Sequence, residues 1–242
     1  MGVWVKAECV VERSLYMIDI EEYLKYIKRG EVPPSVPYLS YETVGYNCCD
    51  TRGACLSRGM WALVSIESTA SLAEWIGDRK VLEIMAGRGW MAKALQIHGV
   101  NITPTDDNSW DDRHSDITSI TPVLDMSAID AVEKLGPDMD ILLVSWPPYG
   151  KTAVCNACKA WGSKRPIIYI GEIEGGCNAP DHFWDCWYET RINNDGDVLD
   201  FPLPQWPGIH DHIQVGTYSH RELENDDESN SEYDSEYDSE YD

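Results

Sequence analysis

Basic residues are scarce in this sequence. Its 242 residues include 19 Lys and Arg against 42 Asp and Glu, which gives a net charge of −23. Eleven of the acidic residues and no basic ones lie in Glu222–Asp242, and the rest of the chain is still acidic. Because non-specific nucleic-acid binding depends on neutralising phosphates with basic side chains, this composition makes such binding unfavourable.

Long apolar segments are lacking as well. No stretch approaches the roughly 18 apolar residues that a membrane-spanning helix requires. Met1–Val10 has neither the cationic start nor the apolar run of a secretory signal. We therefore expect a cytoplasmic protein that does not associate with membranes and whose eight cysteines are reduced.

The most informative stretch is KVLEIMAGRGW at Lys80–Trp90. Lys80–Met85 is apolar apart from Glu83 and a lysine, which is typical of a strand covered on both faces. Ala86–Gly89 carries two glycines, and apolar residues return at helical spacing over Trp90–Val100. A glycine turn between a buried strand and a helix lets a ligand approach the backbone and the free N–H groups of the helix start.

Hydrophobic periodicity divides the remaining chain into further elements. It predicts helices at Asp19–Arg29, Ser57–Ile76, Ala128–Leu135, Thr152–Trp161 and Pro180–Trp187. It predicts strands at Asn101–Thr105, Pro122–Met126, Asp140–Trp146, Arg165–Gly171 and Asp211–Tyr218. This order indicates an α/β fold with a doubly wound, mostly parallel sheet and an antiparallel last strand at its far side.

The composition divides the chain into three parts. We predict an N-terminal helical cap over 1–77, a Rossmann-like core over 78–221 and a disordered acidic tail over 222–242. The tail repeats Ser-Glu-Tyr-Asp three times and carries almost no apolar residues.

Polar and glycine residues recur where the predicted strands end. They are Glu83, Gly87, Asp106, Asp125 and Trp146–Tyr149. Ligands bind doubly wound sheets at the carboxyl ends of the strands. The interval from Glu83 to Asp106 matches one βα unit plus a strand, so Asp106 and the neighbouring Asp107 should lie beside the glycine turn. In nucleotide-binding sheets an acid at this place takes the ribose hydroxyls.

The segment from Glu83 to Gly89 resembles the first motif of the class I S-adenosylmethionine-dependent methyltransferases, an acid followed by spaced glycines. Met85 stands where the family has its first glycine. The resemblance implies that the cofactor is bound by Glu83, Ala86, Gly87, Gly89, Asp106, Asp125 and Met126. The glycines would border its methionine part, and Glu83 would orient the turn and the cofactor amine. Asp106 would take the ribose hydroxyls and Asp125 the adenine amine.

Ser145–Tyr149, SWPPY, resembles the Asp/Asn/Ser-Pro-Pro-Tyr motif of enzymes that methylate adenine, cytosine or glutamine amide nitrogens. In those enzymes a side-chain oxygen and a proline carbonyl accept hydrogen bonds from the NH₂ group, and the aromatic ring stacks on it. Trp146 accepts no hydrogen bond, and Ser145 stands one place earlier, on the other face of a regular strand. The resemblance assigns catalytic roles to Trp146, Pro147 and Tyr149, with a planar acceptor that includes an amine nitrogen.

General bases and metal ligands are poorly indicated. Asp111 and His114 are weak candidates for a base, and we expect His210-Asp211-His212 to pack or lie on the surface. A four-sulfur zinc site is the alternative to free thiols for five cysteines, namely Cys48, Cys49, Cys55, Cys155 and Cys158. We favour free thiols and predict no metal.

The sequence thus predicts S-adenosylmethionine-dependent methyl transfer to a small molecule or a protein side chain. A non-catalytic module of the same fold, which binds the cofactor and acts through protein contacts, is the alternative. A nicotinamide dehydrogenase fits less well, because the three-glycine spacing of dinucleotide-binding turns is missing.

Overall fold

The computed structural model describes residues 18–39, 48–109, 118–192, 196 and 198–219. Within these ranges there are six α-helices: Ile20–Arg29 (α1), Cys48–Leu56 (α2), Ile66–Ile76 (α3), Trp90–Ile97 (α4), Ala128–Leu135 (α5) and Ala153–Trp161 (α6). A 3₁₀ helix at Gly136–Asp138 directly follows α5, and a second one at Asp181–Cys186 directly precedes the sixth strand. No described helix is long and apolar enough to cross a membrane.

The described strands form one seven-stranded sheet. They are Val81–Ile84 (β1), Ile102–Asp106 (β2), Leu124–Asp125 (β3), Ile141–Ser145 (β4), Ile167–Glu172 (β5), Trp187–Glu189 (β6) and Asp211–Tyr218 (β7). Their order in the sheet is β3-β2-β1-β4-β5-β7-β6. The first five strands pair in parallel, and β7 is antiparallel to both β5 and β6. The predicted doubly wound, mostly parallel α/β fold with an antiparallel last strand is confirmed.

Alternate residues of the central strands pack into two separate hydrophobic clusters. Ile141 and Leu143 of β4 face a cluster that includes residues of α1, α3 and α4. Leu142 and Val144 face a second cluster built by α5, α6 and the second 3₁₀ helix. Both faces of β4 are therefore apolar, which explains the unbroken hydrophobic run that identified this strand in the sequence.

Helix α1 begins and ends as its sequence predicts. The side chain of Asp19 accepts a hydrogen bond from the backbone N–H of Glu22, and Gly30 ends the helix in a left-handed conformation. The helical cap predicted at 1–77 is described only from residue 18 and with a gap at 40–47. Its helices share a hydrophobic cluster with the sheet, and the division at residue 77 stays a prediction.

The helix predicted at Ser57–Ile76 is wrong in its first half. Gly59 adopts a φ of +70°, and residues 57–65, between α2 and α3, form neither helix nor strand. Ser65 and Ser68 form a reciprocal capping box, with two side-chain-to-backbone hydrogen bonds of 3.0 Å. This pair fixes the helix start at Ile66, because it satisfies backbone donors that have no partner within the helix.

The far side of the sheet also differs from the prediction. Trp187 was expected to end a helix, but it begins β6, which is the outermost strand, and β7 lies between β5 and β6. β6 has only three residues and pairs with a strand that comes more than twenty positions later. Such a short element gives no detectable period of its own. The predicted acidic tail at 222–242 lies outside the described residues.

The turn after β1 packs tightly against the segment from Thr121 to Val123 at Gly89. A Cβ atom at Gly89 would lie 2.7 Å from Cγ2 of Thr121 and 3.1 Å from Cγ2 of Val123, at a φ of +77°. Gly99 has a similar φ of +87° with no described atom within 4 Å of its Cβ position. Both Gly→Ala changes place a Cβ atom on a residue in the left-handed conformation, which strains the backbone. Only in Gly89→Ala does that Cβ atom also collide with neighbouring side chains. We expect Gly89→Ala to lower the free energy of unfolding by roughly 1–3 kcal/mol more than Gly99→Ala in urea titrations.

Equal losses for the two variants would contradict this packing. They would mean that the segment from Thr121 to Val123 moves aside without cost.

Candidate functional site

The turn after β1 combines three left-handed residues. Met85 has a φ of +56°, Gly87 of +55° and Gly89 of +77°. A side chain is uncommon in this conformation, because its Cβ crowds the backbone. Met85 therefore has a backbone conformation that is typical of glycine, and the turn tolerates the strain of its side chain.

The end of β2 holds this turn in place. The Asp106 carboxylate accepts hydrogen bonds of 2.7 Å from the backbone N–H groups of Gly87 and Asn108. The hydroxyl of Thr105 donates to the carbonyl of Glu83, and the N–H of Ala86 donates to the carbonyl of Thr105. The prediction that Asp106 lies beside the glycine turn agrees with this geometry.

A cavity of about 810 Å³ lies at the carboxyl ends of β1, β2 and β4. This volume is within the range of small-molecule sites. Seven of the predicted site residues line it: Glu83, Ala86, Gly87, Asp106, Met126, Trp146 and Tyr149. The structure thus brings together most of the positions that strand-end reasoning singled out, and their functional roles stay predictions.

Three predicted site residues are not among the described residues that line the cavity. Gly89 packs against Thr121 instead. Asp125 is exposed on the edge strand β3, next to the lining residue Met126. Pro147 is buried, and its carbonyl accepts a 3.0 Å hydrogen bond from the N–H of Ala179.

Glu83 is a strongly perturbed acid of the cavity. It is 1% exposed, and among the described residues its Oε2 atom has no hydrogen-bond partner. Burial raises its pKa to about 8, and the neighbouring charge of Asp106 acts in the same direction, against a hydrogen bond from the backbone of Ala92. A buried carboxyl oxygen without a partner is costly, so this atom is suited to receive a donor from a ligand.

Trp146 stands at the end of β4 with a φ of +53°. Its Nε1–H donates to the buried Asp211 carboxylate at 3.1 Å, and its ring stacks on Trp61 with centroids 5.9 Å apart. The Arg52 guanidinium lies 5.6 Å from the same ring. Because Trp146 leaves the extended conformation, strand alternation ends there, and both Ser145 and Trp146 line the cavity.

Asp211 is not a surface residue or part of a described metal cluster. It is 1% exposed, and burial raises its pKa to about 7, opposed by the Trp146 hydrogen bond and the Arg52 charge. No group of three or more metal-ligating side chains occurs within the described residues. Described thiols such as Cys55, Cys155 and Cys158 are free and buried. The side chains of Cys48 and Cys49, and the base candidates Asp111 and His114, lie outside the described part of the chain.

Sequence reasoning missed several lining residues. Trp61 was placed within a helix, and Lys151, Asn156 and Asn178 were not considered as site residues, although all four line the cavity. Asn178 follows β5 in a Gly-Gly-Cys-Asn segment. A glycine-rich segment after a predicted central strand was the available signal, since this is the edge at which ligands bind.

The buried Glu83 predicts a specific dependence of stability on pH. Its pKa rises from 4.5 to about 8 on folding, so the folded protein retains a proton that the unfolded chain has released. Stability should therefore fall as pH increases from about 4.5 to 8. Glu83→Gln should remove this contribution, and the variant should gain up to a few kcal/mol relative to the wild type at the upper end, at about 1.4 kcal/mol per pKa unit.

Urea titrations across this pH window measure the effect, and Glu133→Gln on the exposed face of α5 is the matched control. Parallel stability curves for the wild type and Glu83→Gln would contradict the assignment of a protonated buried acid.

Comparisons with known proteins begin with sequence. No family model matches the chain, and no curated protein matches it significantly.

Solved structures with partial similarity to the chain include several methyltransferases. Mitomycin 7-O-methyltransferase is 13% identical, with 83% of this chain and 67% of that chain covered and a TM-score of 0.43. Human N-acetylserotonin methyltransferase in complex with S-adenosylmethionine is 11% identical, with coverages of 83% and 67% and a TM-score of 0.41. The 1,6-didemethyltoxoflavin-N1-methyltransferase of Burkholderia thailandensis is 13% identical, with coverages of 78% and 94% and a TM-score of 0.40.

In two further matches, TehB from Haemophilus influenzae and a methyltransferase from Agrobacterium tumefaciens, the aligned region covers 62% of the other chain. The chain therefore spans less than two thirds of the length of these two proteins. At such identities and TM-scores, structural similarity is no basis for assigning the function of these proteins to this chain. A function has to be argued from the residues of the site.

Proposed function

We propose that the chain binds S-adenosylmethionine and transfers its methyl group to a small molecule or a protein side chain. One observation carries the proposal: the glycine turn after β1, Asp106 of β2 and the residues after β3 line one cavity at the carboxyl ends of the strands. Ligands of doubly wound sheets bind at this edge.

The charges of the cavity suit this cofactor. Glu83, Asp106 and Asp107 line its β1–β2 side, where the cofactor would present its ammonium and ribose hydroxyls. The unpartnered Oε2 of Glu83 is suited to accept a hydrogen bond from the ammonium. The Asp106 carboxylate, which accepts the backbone N–H groups of Gly87 and Asn108, lies at the end of β2, where the ribose hydroxyls would reach it.

Adenine would lie near the residues that follow β3. Met126, Ala128 and Ile129 line the cavity there and offer apolar surface for a planar base. We propose Asp125 as the partner of the adenine amine. Because Asp125 is exposed on β3, its contribution to binding should be smaller than that of Asp106. Ala86 and Gly87 present the backbone of the β1 turn to the methionine part.

Bound S-adenosylmethionine supplies an electrophilic methyl group on its sulfonium. The protein then has to hold the acceptor in line with that group and exclude competing water. Trp61, Trp146 and Tyr149 line the side of the cavity that remains for the acceptor. A planar amine nitrogen is one such acceptor, but the groups suited to accept its hydrogens are few, because Trp146 donates to Asp211 and Pro147 already accepts from Ala179.

That shortage of acceptor groups also favours a second function, in which the fold binds the cofactor without turnover and acts through protein contacts. The two functions predict the same cofactor affinity. They differ in whether label from an isotopically marked methyl donor appears in any acceptor.

Calorimetry on the full chain tests the cofactor directly. We expect S-adenosylmethionine to bind and NADH not to bind. Asp106→Asn should weaken binding at least about tenfold, because an amide cannot serve both backbone donors and the ribose. Asp125→Asn should weaken it less, and Asp185→Asn, at an exposed position of the second 3₁₀ helix and outside the cavity lining, should leave it unchanged.

A folded wild type that fails to bind S-adenosylmethionine, or that prefers NADH, would refute the proposal. Binding without label transfer to any acceptor in a cell extract would favour the non-catalytic function.

A further inference from the structure

The polar groups that line the cavity are divided by charge and by position in the sheet. The three acidic side chains, Glu83, Asp106 and Asp107, lie in β1, in β2 and directly after β2. On the β4–β5 side the polar lining residues include Ser145, Lys151, Asn156 and Asn178, which are neutral or cationic. This side would face the methyl acceptor under the proposed function.

Asn178 is a buried hydrogen-bond donor on that side. It is 3% exposed, and its Oδ1 accepts a 2.8 Å hydrogen bond from the N–H of Glu172. This bond fixes which end of the amide carries the NH₂ group. Within the described residues Nδ2 has no hydrogen-bond acceptor, and Asn178 lines the cavity, so its NH₂ group is left to meet a ligand.

The chain makes room for this side chain. Gly171 lies under it, where a Cβ atom would be 2.9 Å from Oδ1 of Asn178. An isolated antiparallel bridge joins Asn178 to Pro148 of the Trp-Pro-Pro-Tyr segment. Asn178 is therefore held against the segment that would bind the acceptor.

The start of helix α6 adds positive potential to the lining of the same cavity. Lys151, Ala153 and Asn156 line the cavity, and the N-cap residue Thr152 makes no side-chain capping bond. The first N–H groups of this nine-residue helix thus lack a side-chain cap. Free N–H groups and the helix dipole both favour an anion there.

The nearest carboxylates do not occupy this surface. Glu172 accepts the backbone N–H groups of Cys177 and His210, and Asp211 accepts from Trp146. Neither is among the described residues that line the cavity, and Asp181 interacts at 3.5 Å with the Tyr149 hydroxyl at the exposed rim.

We propose that this surface, formed by Asn178, Lys151 and the start of α6, is an anion subsite and that the methyl acceptor is a planar conjugated oxyanion. Phenolates, enolates and aromatic carboxylates share this chemistry. Planarity follows from the stacked pair of Trp61 and Trp146 in the cavity wall, against which a flat conjugated ring packs well. The inference rests on the proposed methyl transfer for its chemical consequence, whereas the anion preference is a property of the subsite itself.

Methyl transfer to such an acceptor balances without a proton transfer. The oxyanion uses a lone pair to form the new O–C bond, and the electron pair of the broken C–S bond stays on sulfur. The acceptor becomes a neutral ether or ester, and the sulfonium becomes a neutral thioether. No general base is needed, since the oxygen is already ionised.

A matched pair of probes tests the subsite. 4-Nitrophenolate and 4-nitroaniline have nearly the same shape, and only the first is an anion in mildly alkaline buffer. We expect 4-nitrophenolate to quench tryptophan fluorescence with at least about tenfold higher affinity, both with and without S-adenosylhomocysteine. Benzoate against benzamide separates a carboxylate preference from a phenolate preference.

Three substitutions localise the effect. Asn178→Asp keeps the oxygen that accepts from Glu172 and replaces the donor by a negative oxygen, so it should abolish the preference for 4-nitrophenolate. Lys151→Gln should reduce it several-fold, and Lys159→Gln, on an exposed position of the same helix outside the cavity lining, should not change it. Circular dichroism confirms that each variant is folded.

Equal or weaker binding of 4-nitrophenolate than of 4-nitroaniline, or binding of neither, would overturn the proposal. So would an unchanged preference in a folded Asn178→Asp variant. Loss of S-adenosylmethionine binding with an intact anion preference would instead count against the proposed function alone.

Discussion

The carboxylate of Asp106 fixes the conformation on which the whole site depends. The turn after β1 places Met85, Gly87 and Gly89 in left-handed conformations, and such a turn needs support from outside its own sequence. Asp106 supplies it by accepting the N–H of Gly87, while the paired strands β1 and β2 set the distance between them. The shape of the cavity floor is therefore a consequence of strand register.

Two acids in this region are buried where the fold alone gives no reason for them. Glu83 and Asp211 are each 1% exposed, and in the described part of the chain each has one carboxyl oxygen without a hydrogen-bond partner. Desolvation raises both pKa values, so each acid destabilises the folded chain near neutral pH. Glu83 lines the cavity, and Asp211 orients Trp146 in its wall. Their cost is understandable if they serve a ligand site.

The centre of the sheet could be predicted from the sequence because β1, β4 and β5 are largely apolar and buried on both faces. β4 and β5 lie in continuous hydrophobic runs and β1 in a run interrupted only by Glu83, and residues at the ends of these strands and of β2 could be placed together by topology alone. Glu83, Asp106 and Trp146 illustrate this, since all three line one cavity. The short strand β6 could not be found in the same way, because its pairing with β7 is set by distant contacts.

The parts of the site that could not be predicted lie in loops or at strained residues. Trp61 reaches the cavity because Gly59 and the Ser65 capping box interrupt what looked like one helix. Asn178 reaches it through a bond to Glu172 and a bridge to Pro148, neither of which has a local pattern. Such contacts depend on the folded path of the chain.

The strain at Trp146 changes the chemistry that its motif suggests. In the resembling motif this position accepts hydrogen bonds, but here a left-handed backbone directs an indole toward Asp211, and the indole N–H is used there. The same backbone puts the Trp146 ring on the face of the sheet that Leu143 and Ser145 share by strand alternation, so that both Ser145 and Trp146 line the cavity. With Asn178 and the start of α6 beside it, this wall mainly donates hydrogen bonds. Under the proposed function, a site with the position and aromatic character of the motif would therefore suit a ligand of the opposite polarity.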